Sequence, residues 1–74
     1  QQFDIIFANI NRNILLRDMH YYVDVLKPKG LILFSGFYEG EDFEMIQQKA
    51  KDLGLNFCRH LENNRWIAAQ FEKK

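Results

Sequence analysis

The chain has little of the residues that mark several protein classes. Its 74 residues include one cysteine (Cys58), one proline and four glycines. A lone cysteine excludes an internal disulfide and is typical of a reducing compartment. No apolar run approaches the ~20 residues of a membrane-spanning helix, and there is no signal peptide. We therefore expect a cytoplasmic protein with no membrane partner.

Net charge is also lacking, because ten basic side chains balance ten acidic ones. A neutral chain has no electrostatic basis for binding nucleic acid or an anionic membrane. Metal binding is not expected either. Cys58 and His60 lie two apart on a predicted strand and should share a face, but two ligands make a poor zinc site.

Hydrophobic residues make up 47% of the chain and aromatic residues 15%, which is enough for a core. We expect one small domain over residues 1–74. A chain of this length buries only about 60% of its unfolded surface, so its stability should be marginal. Because Gln1 and Gln2 directly precede a buried-type strand, we expect a piece of a longer protein.

Two continuous apolar runs, Phe3–Ala8 and Leu31–Phe34, predict parallel strands that are buried on both faces. Helical spacing between them predicts an amphipathic helix from about Arg12 to Leu26, capped by Asn11 or Asn13. The segment Lys27–Gly30, which contains Pro28, is predicted to be the turn that ends this helix.

A second helix is predicted to begin near the acidic residues Glu39 to Asp42 and to stop at Gly54. Its apolar stripe is Phe43, Ile46, Ala50 and Leu53. Two further strands, Leu55–Leu61 and Trp66–Phe71, are predicted to form an antiparallel hairpin. The predicted class is therefore α/β with the order β-α-β-α-β-β, and the basic end Lys73-Lys74 is interpreted as solubilising.

Polar residues stand at the ends of the first two strands. In open α/β sheets, ligands bind at the carboxyl ends of the parallel strands. Asn9 ends the first run and carries an uncharged amide, which suits holding an amine better than acid–base work. The alternative is a loop or helix-capping residue. Ser35-Gly36 ends the second run and lacks the preceding glycine of a nucleophile elbow, so we interpret it as a tight strand end. Arg12 is either an anion clamp or a solvated arginine.

Together, the stretch Phe-Asp-Ile-Ile-Phe-Ala-Asn-Ile, the turn Leu-Lys-Pro-Lys-Gly, the strand Leu-Ile-Leu-Phe-Ser-Gly-Phe and the final hairpin resemble a class I S-adenosylmethionine-dependent methyltransferase. Within that superfamily the residues Ala8-Asn9-Ile10, the Ser35-Gly36 strand end and Trp66 are similar to the ribosomal protein L11 methyltransferases (PrmA type). Ala-Asn-Ile stands where other amino-group methyltransferases carry Asn-Pro-Pro-aromatic.

The resemblance implies a partial Rossmann-like methyltransferase sheet. Its last strand would insert antiparallel between Leu31–Phe34 and Leu55–Leu61, leaving Phe3–Ala8 at an edge. The chain would correspond to roughly the last quarter of such an enzyme, without the glycine-rich loop and ribose carboxylate that hold the cofactor. The amino-terminal half of the domain and the substrate-recognition domain would also lie outside it.

The resemblance further implies roles for single residues. Asn9 would be catalytic and would orient the acceptor amine, Asn9 and Ala8 would contact S-adenosylmethionine, and Ile10, Ser35 and Gly36 would contact the substrate. That substrate would be the lysine and amino-terminal amines of a ribosomal protein. The isolated chain would be inactive and would self-associate through the exposed Phe3–Ala8 edge.

Two other interpretations remain open from the sequence. The chain could belong to another class I methyltransferase, with a small-molecule or RNA substrate. It could also be a non-catalytic α/β interaction module.

Overall fold

The computed structural model describes all 74 residues, which form a mixed sheet and two helices. The elements along the chain are β1 (Phe3–Asn9), α1 (Arg12–Val25), β2 (Leu26–Tyr38), α2 (Glu41–Asp52), β3 (Leu55–Asn63) and β4 (Trp66–Lys73). The predicted α/β class and the order of its elements are therefore confirmed.

The strand order across the sheet is β1-β2-β4-β3. Strands β1 and β2 are parallel, whereas β4 is antiparallel to both β2 and β3. The last strand is thus inserted between its two neighbours, as the resemblance implied, and β1 lies at an edge. Strand β3 runs in the same direction as β1 and β2 but does not pair with either.

One face of the sheet packs against both helices. Ile32 and Phe34 of β2 lie opposite Phe71 and Ala69 of β4, and all four side chains are buried on this face. The helices contribute spaced apolar residues to the same core: Leu15, Met19 and Val23 from α1, and Ile46 and Ala50 from α2. Burying each of the larger side chains among these, such as Leu15 or Phe34, stabilises the fold by about 1.5–3 kcal/mol.

The two ends of α1 are stabilised in different ways. Asn11 is the N-cap, because its side-chain oxygen accepts a hydrogen bond from the backbone N–H of Ile14 at 3.0 Å. At the other end, Lys73 Nζ donates to the carbonyl oxygens of Val23 and Leu26, both at 2.7 Å. A cation suits the negative end of a helix dipole. Lys73 is therefore a capping residue, and the interpretation of it as merely solubilising is wrong.

Strand β2 is longer than predicted at both ends. The segment Lys27–Gly30 belongs to the strand and is not a separate turn, because Leu26 already pairs with Phe3 of β1. A Cβ at Gly30 would lie 2.9 Å from the carbonyl oxygen of Asp4, so glycine permits this close approach of β1. At its other end β2 continues to Tyr38, since Phe37 and Tyr38 pair with β4.

The β3–β4 hairpin has a two-residue turn. Asn63 pairs with Trp66, and the two residues between them, Asn64 and Arg65, have φ of 51° and 73°. Positive φ at both central positions is typical of the turn type that matches the twist of a hairpin. The predicted antiparallel hairpin is confirmed, with a shorter loop than the sequence suggested.

The opposite face of the sheet packs against no element of this chain. It exposes Ile5 by 52%, Phe7 by 77% and Leu61 by 75%. The prediction that Phe3–Ala8 is buried on both faces is therefore wrong for this chain, in which only one face of β1 is covered. The free edge of β1 borders this face and has Asp4 as its only charged residue. The β3 edge differs, because it is interrupted by a bulge and carries Arg59 and Glu62, features that oppose edge pairing.

We propose that the 74-residue chain by itself self-associates through the Phe3–Ala8 edge, since pairing two such edges satisfies their free N–H and C=O groups. Phe7→Lys should shift the chain towards monomer, because a charge at the edge opposes pairing. Tyr21→Lys is the matched control, since Tyr21 is 62% exposed on α1. Sedimentation equilibrium of all three chains is the measurement. A monomeric unsubstituted chain would contradict the proposal.

Candidate functional site

The register of the sheet brings the ends of its strands into one row. Asn9 of β1 lies opposite Ser35 of β2, Ser35 opposite Ala68 of β4, and Ala68 opposite Leu61 of β3. These four residues share the face of the sheet that packs against no helix. The two polar strand ends singled out in the sequence, Asn9 and Ser35-Gly36, therefore lie side by side.

Asn9 is not the cap of α1. That position is taken by Asn11, whose side chain binds the amide of Ile14. The side chain of Asn9 is exposed and makes no side-chain hydrogen bond within the chain. Its backbone, in contrast, is fixed, because the next residue, Ile10, donates its N–H to the carbonyl oxygen of Ser35 at 3.0 Å. A held backbone thus presents a free amide group.

Gly36 produces a bulge in β2 directly beside this amide. Its φ is +98°, and the register between β2 and β4 shifts between Ser35 and Phe37. A Cβ at this position would lie 2.7 Å from Asn9 Oδ1 and 2.9 Å from the carbonyl oxygen of Ile10. The absence of a side chain therefore leaves room for the Asn9 amide and for the backbone that carries it.

These residues line a cleft of about 600 Å³. One wall is the end of β1 with residues 9–11 and the Ser35-Gly36 bulge, and the other is the hairpin, with residues 61–63 and 66–68. The volume is in the range of small-molecule sites in proteins. Asn9, Ile10, Ser35 and Gly36, to which the resemblance gave binding roles, all line this cleft, and the roles themselves stay predictions.

Ala8 lies differently from its neighbours. Its side chain is only 5% exposed and packs in the core on the helix-bearing face, one position before the cleft. Side chains alternate between the two faces of a strand, so Ala8 and Asn9 point in opposite directions. Only the backbone of Ala8 is available to a ligand in the cleft.

The hairpin wall was missed from the sequence. Trp66 is 47% exposed, lines the cleft and stacks on Tyr38 at 4.2 Å between ring centroids. Leu61 and Glu62 line the same wall. The hairpin residues could have been found from the implied antiparallel insertion of β4. That insertion brings the start of β4 to the edge of the sheet where β1 and β2 end.

Glu62 is the one charged residue of the cleft lining. The pKa of Glu62 is raised above its usual value. The largest cause is a hydrogen bond with Glu39, followed by desolvation and by the repulsion between the two carboxylates. Arg65 Nε lies 3.5 Å from Glu39 Oε1 and partly balances this pair. Because Glu62 pairs with Ile67 of the core, its side chain points to the helix-bearing face and not towards Asn9.

Cys58 and His60 do not share a face, contrary to the expectation from their spacing. A bulge between Phe57 and Arg59 shifts the register, so that His60 follows Phe57 onto the helix side and contacts Phe43, with ring centroids 4.9 Å apart. The structure contains no group of three or more His, Cys, Asp or Glu residues arranged to hold a metal ion. It also contains no helix with the length and apolarity needed to cross a membrane.

The fold matches solved methyltransferase structures. A methyltransferase from Pyrococcus furiosus superimposes with a TM-score of 0.72 over 96% of this chain and 40% of its own, at 18% identity. The ribosomal protein L11 methylase of Lactobacillus delbrueckii subsp. bulgaricus superimposes with a TM-score of 0.90 over 99% of this chain and 38% of its own, at 27% identity. The sheet is thus part of a Rossmann-like methyltransferase fold.

Sequence comparison identifies the family. Residues 1–74 match the family described as ribosomal protein L11 methyltransferase (PrmA), and the chain belongs to that family. The ribosomal protein L11 methyltransferases of Phocaeicola vulgatus and Bacteroides thetaiotaomicron are 47% identical over 72 residues and 51% identical over 69 residues, respectively. The chain spans about a quarter of the length of these relatives, 25% and 24%. The resemblance noted from the sequence is confirmed.

We expect Gly36→Ala to destabilise the chain more than Gly54→Ala. Both glycines have positive φ, +98° and +87°, which costs alanine about 1–2 kcal/mol. Only at Gly36 does the added Cβ meet the backbone of Ile10, while nothing lies within 4 Å at Gly54. The clash should cost Gly36→Ala a further ~1–2 kcal/mol.

Urea denaturation of both variants at one protein concentration measures this difference. Equal losses of stability would show that the bulge is not packed against the Asn9 segment.

Proposed function

We propose that residues 1–74 form the carboxyl-terminal part of a methyltransferase catalytic domain and supply one wall of its active site. The full-length enzyme would transfer a methyl group from S-adenosylmethionine to lysine and amino-terminal amines of ribosomal protein L11. Membership of the PrmA family supports this activity over a small-molecule or RNA methyltransferase and over a non-catalytic module. The observation that carries the site is the free Asn9 amide at the open end of β1, beside the Ser35-Gly36 bulge.

Methyl transfer to an amine is an in-line displacement, so the nitrogen lone pair must point at the methyl carbon. The carbonyl oxygen of the Asn9 amide can accept an N–H of the acceptor amine and thereby set the direction of the lone pair. A neutral amide does this without competing as a nucleophile. The contribution is positioning, which accelerates a reaction by holding the two reactants in line.

The residues around Asn9 would complete the acceptor site. The Ser35 hydroxyl and the backbone at Ile10 and Gly36 would contact the incoming chain, since all three line the cleft. Leu61 and Trp66 on the hairpin wall would contact the aliphatic part of a lysine side chain.

S-adenosylmethionine would supply the methyl group and would contact the Asn9 amide and the backbone of Ala8. The residues present fit only one side of such a cofactor. They offer a neutral amide and free backbone at a strand end, but Gly30, Gly36, Gly40 and Gly54 form no glycine-rich loop. The remaining contacts would come from the rest of the full-length enzyme, and the 74-residue chain alone would be inactive.

A ribosomal protein as substrate places the enzyme where ribosomal proteins are available, so we propose a cytoplasmic location. The lone, exposed Cys58 is consistent with a reducing compartment. No membrane or nucleic-acid partner is proposed.

In the full-length enzyme, Asn9→Ala should lower kcat by on the order of 10²-fold, a far larger effect than any loss of affinity for S-adenosylmethionine. The reason is that the amide acts mainly on the acceptor in the transition state, and an interaction made there appears in kcat. Steady-state methylation of ribosomal protein L11 and calorimetric titration with the cofactor measure the two effects.

Asn56→Ala is the matched control, since Asn56 is an exposed asparagine at the far end of β3. An Asn9→Ala enzyme with the kcat of the control and an intact fold would contradict the role of Asn9.

A further inference from the structure

A polar contact joins the starts of the two helices close to the cleft. Arg12, the first residue of α1, donates from Nη1 to Asp42 Oδ1 at 2.9 Å and lies 3.4 Å from Glu41 Oε1. The other carboxylate oxygen of Asp42 accepts the backbone N–H of Tyr38 at 3.4 Å. One guanidinium and one carboxylate thus connect α1, α2 and the end of β2. The anion that Arg12 binds is therefore the carboxylate of Asp42, a side chain of this chain and not an external ligand.

These three elements carry the residues of the site. Arg12 follows the Asn9–Asn11 segment directly, and Tyr38 lies two residues after Gly36. The Asn9–Asn11 segment is fixed to β2 by the hydrogen bond from Ile10 N–H to Ser35 O, 3.0 Å long. Directly after the segment, Arg12 connects the chain to α2. The path of the backbone that carries Asn9 is therefore defined from both sides.

The contact differs from an ordinary surface ion pair. Exposed pairs contribute little because water screens the charges and the side chains lose freedom. The side chains of Arg12 and Asp42 are only 30% and 24% exposed, and the two residues are 30 positions apart in the chain. Arg17 and Asp18 form a pair of the same chemistry on α1, but they are adjacent residues, the Arg17 side chain is 71% exposed, and the pair connects no elements.

We propose that Arg12, paired with Asp42, is a positioning residue for the reaction and acts through Asn9. The pair holds the Asn9–Asn11 segment against β2 and α2, so that the Asn9 amide meets the acceptor amine in the productive direction. The inference rests on the proposed function, because it assigns Arg12 a part in the role proposed for Asn9. Displacing a reactive group by an ångström is enough to slow an enzyme strongly.

The test uses the full-length enzyme and steady-state methylation of ribosomal protein L11. Arg12→Gln removes the charge and should lower kcat by on the order of tenfold, with the affinity for S-adenosylmethionine unchanged. Arg12→Lys should recover most of the activity, since a single donor atom, Nη1, makes both carboxylate contacts. Arg17→Gln is the matched control and should have the kcat of the unsubstituted enzyme.

A double-mutant cycle separates positioning from general stability. If Arg12 acts through Asn9, then Asn9→Ala/Arg12→Gln has the same kcat as Asn9→Ala alone. Losses that multiply, or an Arg12→Gln enzyme as active as the Arg17→Gln control, would overturn the inference. Melting temperatures of all variants identify any loss that comes from unfolding, and in that case Arg12→Lys carries the comparison.

The outcomes for Asn9 and Arg12 are distinguishable. A slow Asn9→Ala enzyme together with a normal Arg12→Gln enzyme leaves the proposed function standing and removes the role of Arg12. A normal Asn9→Ala enzyme removes the proposed site, and the positioning role of Arg12 is overturned with it.

Discussion

The parallel register between β1 and β2 is the constraint on which the rest of the site depends. It sets Asn9 beside Ser35 and is extended past the end of β1 by the hydrogen bond from Ile10 N–H to Ser35 O. Since the side chains of a strand alternate between faces, a shift by one residue would turn Asn9 into the core and Ala8 into the cleft. Ala8, buried with Ile32 and Phe34, resists that shift. The apolar core thus determines which side chain faces the cleft.

Much of the fold follows from local sequence patterns. The apolar runs at Phe3–Ala8 and Leu31–Phe34 correctly predict parallel strands, and the spacing of Leu15, Met19 and Val23 predicts a helix. Only Leu31–Phe34 lies inside the sheet, whereas Phe3–Ala8 forms an edge strand. The antiparallel insertion of β4 has a different origin. It was expected from the resemblance to methyltransferases and could not be derived from the residues, because strand order depends on pairings between distant segments.

What the sequence did not predict depends on contacts over long separations. Lys73 caps α1 from the other end of the chain, and Arg12 binds Asp42, which lies 30 positions later, beyond helix α1 and strand β2. The two bulges, at Gly36 and near Cys58, arise because neighbouring strands differ by one residue within a paired region. No periodicity reveals such an offset. As a result, the polar strand ends Asn9 and Ser35-Gly36 were singled out from the sequence, while the hairpin wall with Trp66 was not.

We propose that the Asn9 amide orients the acceptor amine, and a crystal structure of the full-length enzyme with an acceptor bound would show whether it does. The crystals would hold S-adenosylhomocysteine, which cannot donate a methyl group, together with a lysine-bearing acceptor peptide. We expect the acceptor nitrogen in the cleft within about 3.2 Å of Asn9 Oδ1, with its lone pair towards the cofactor sulfur. An acceptor nitrogen held by other residues, with the Asn9 amide facing solvent, would contradict it.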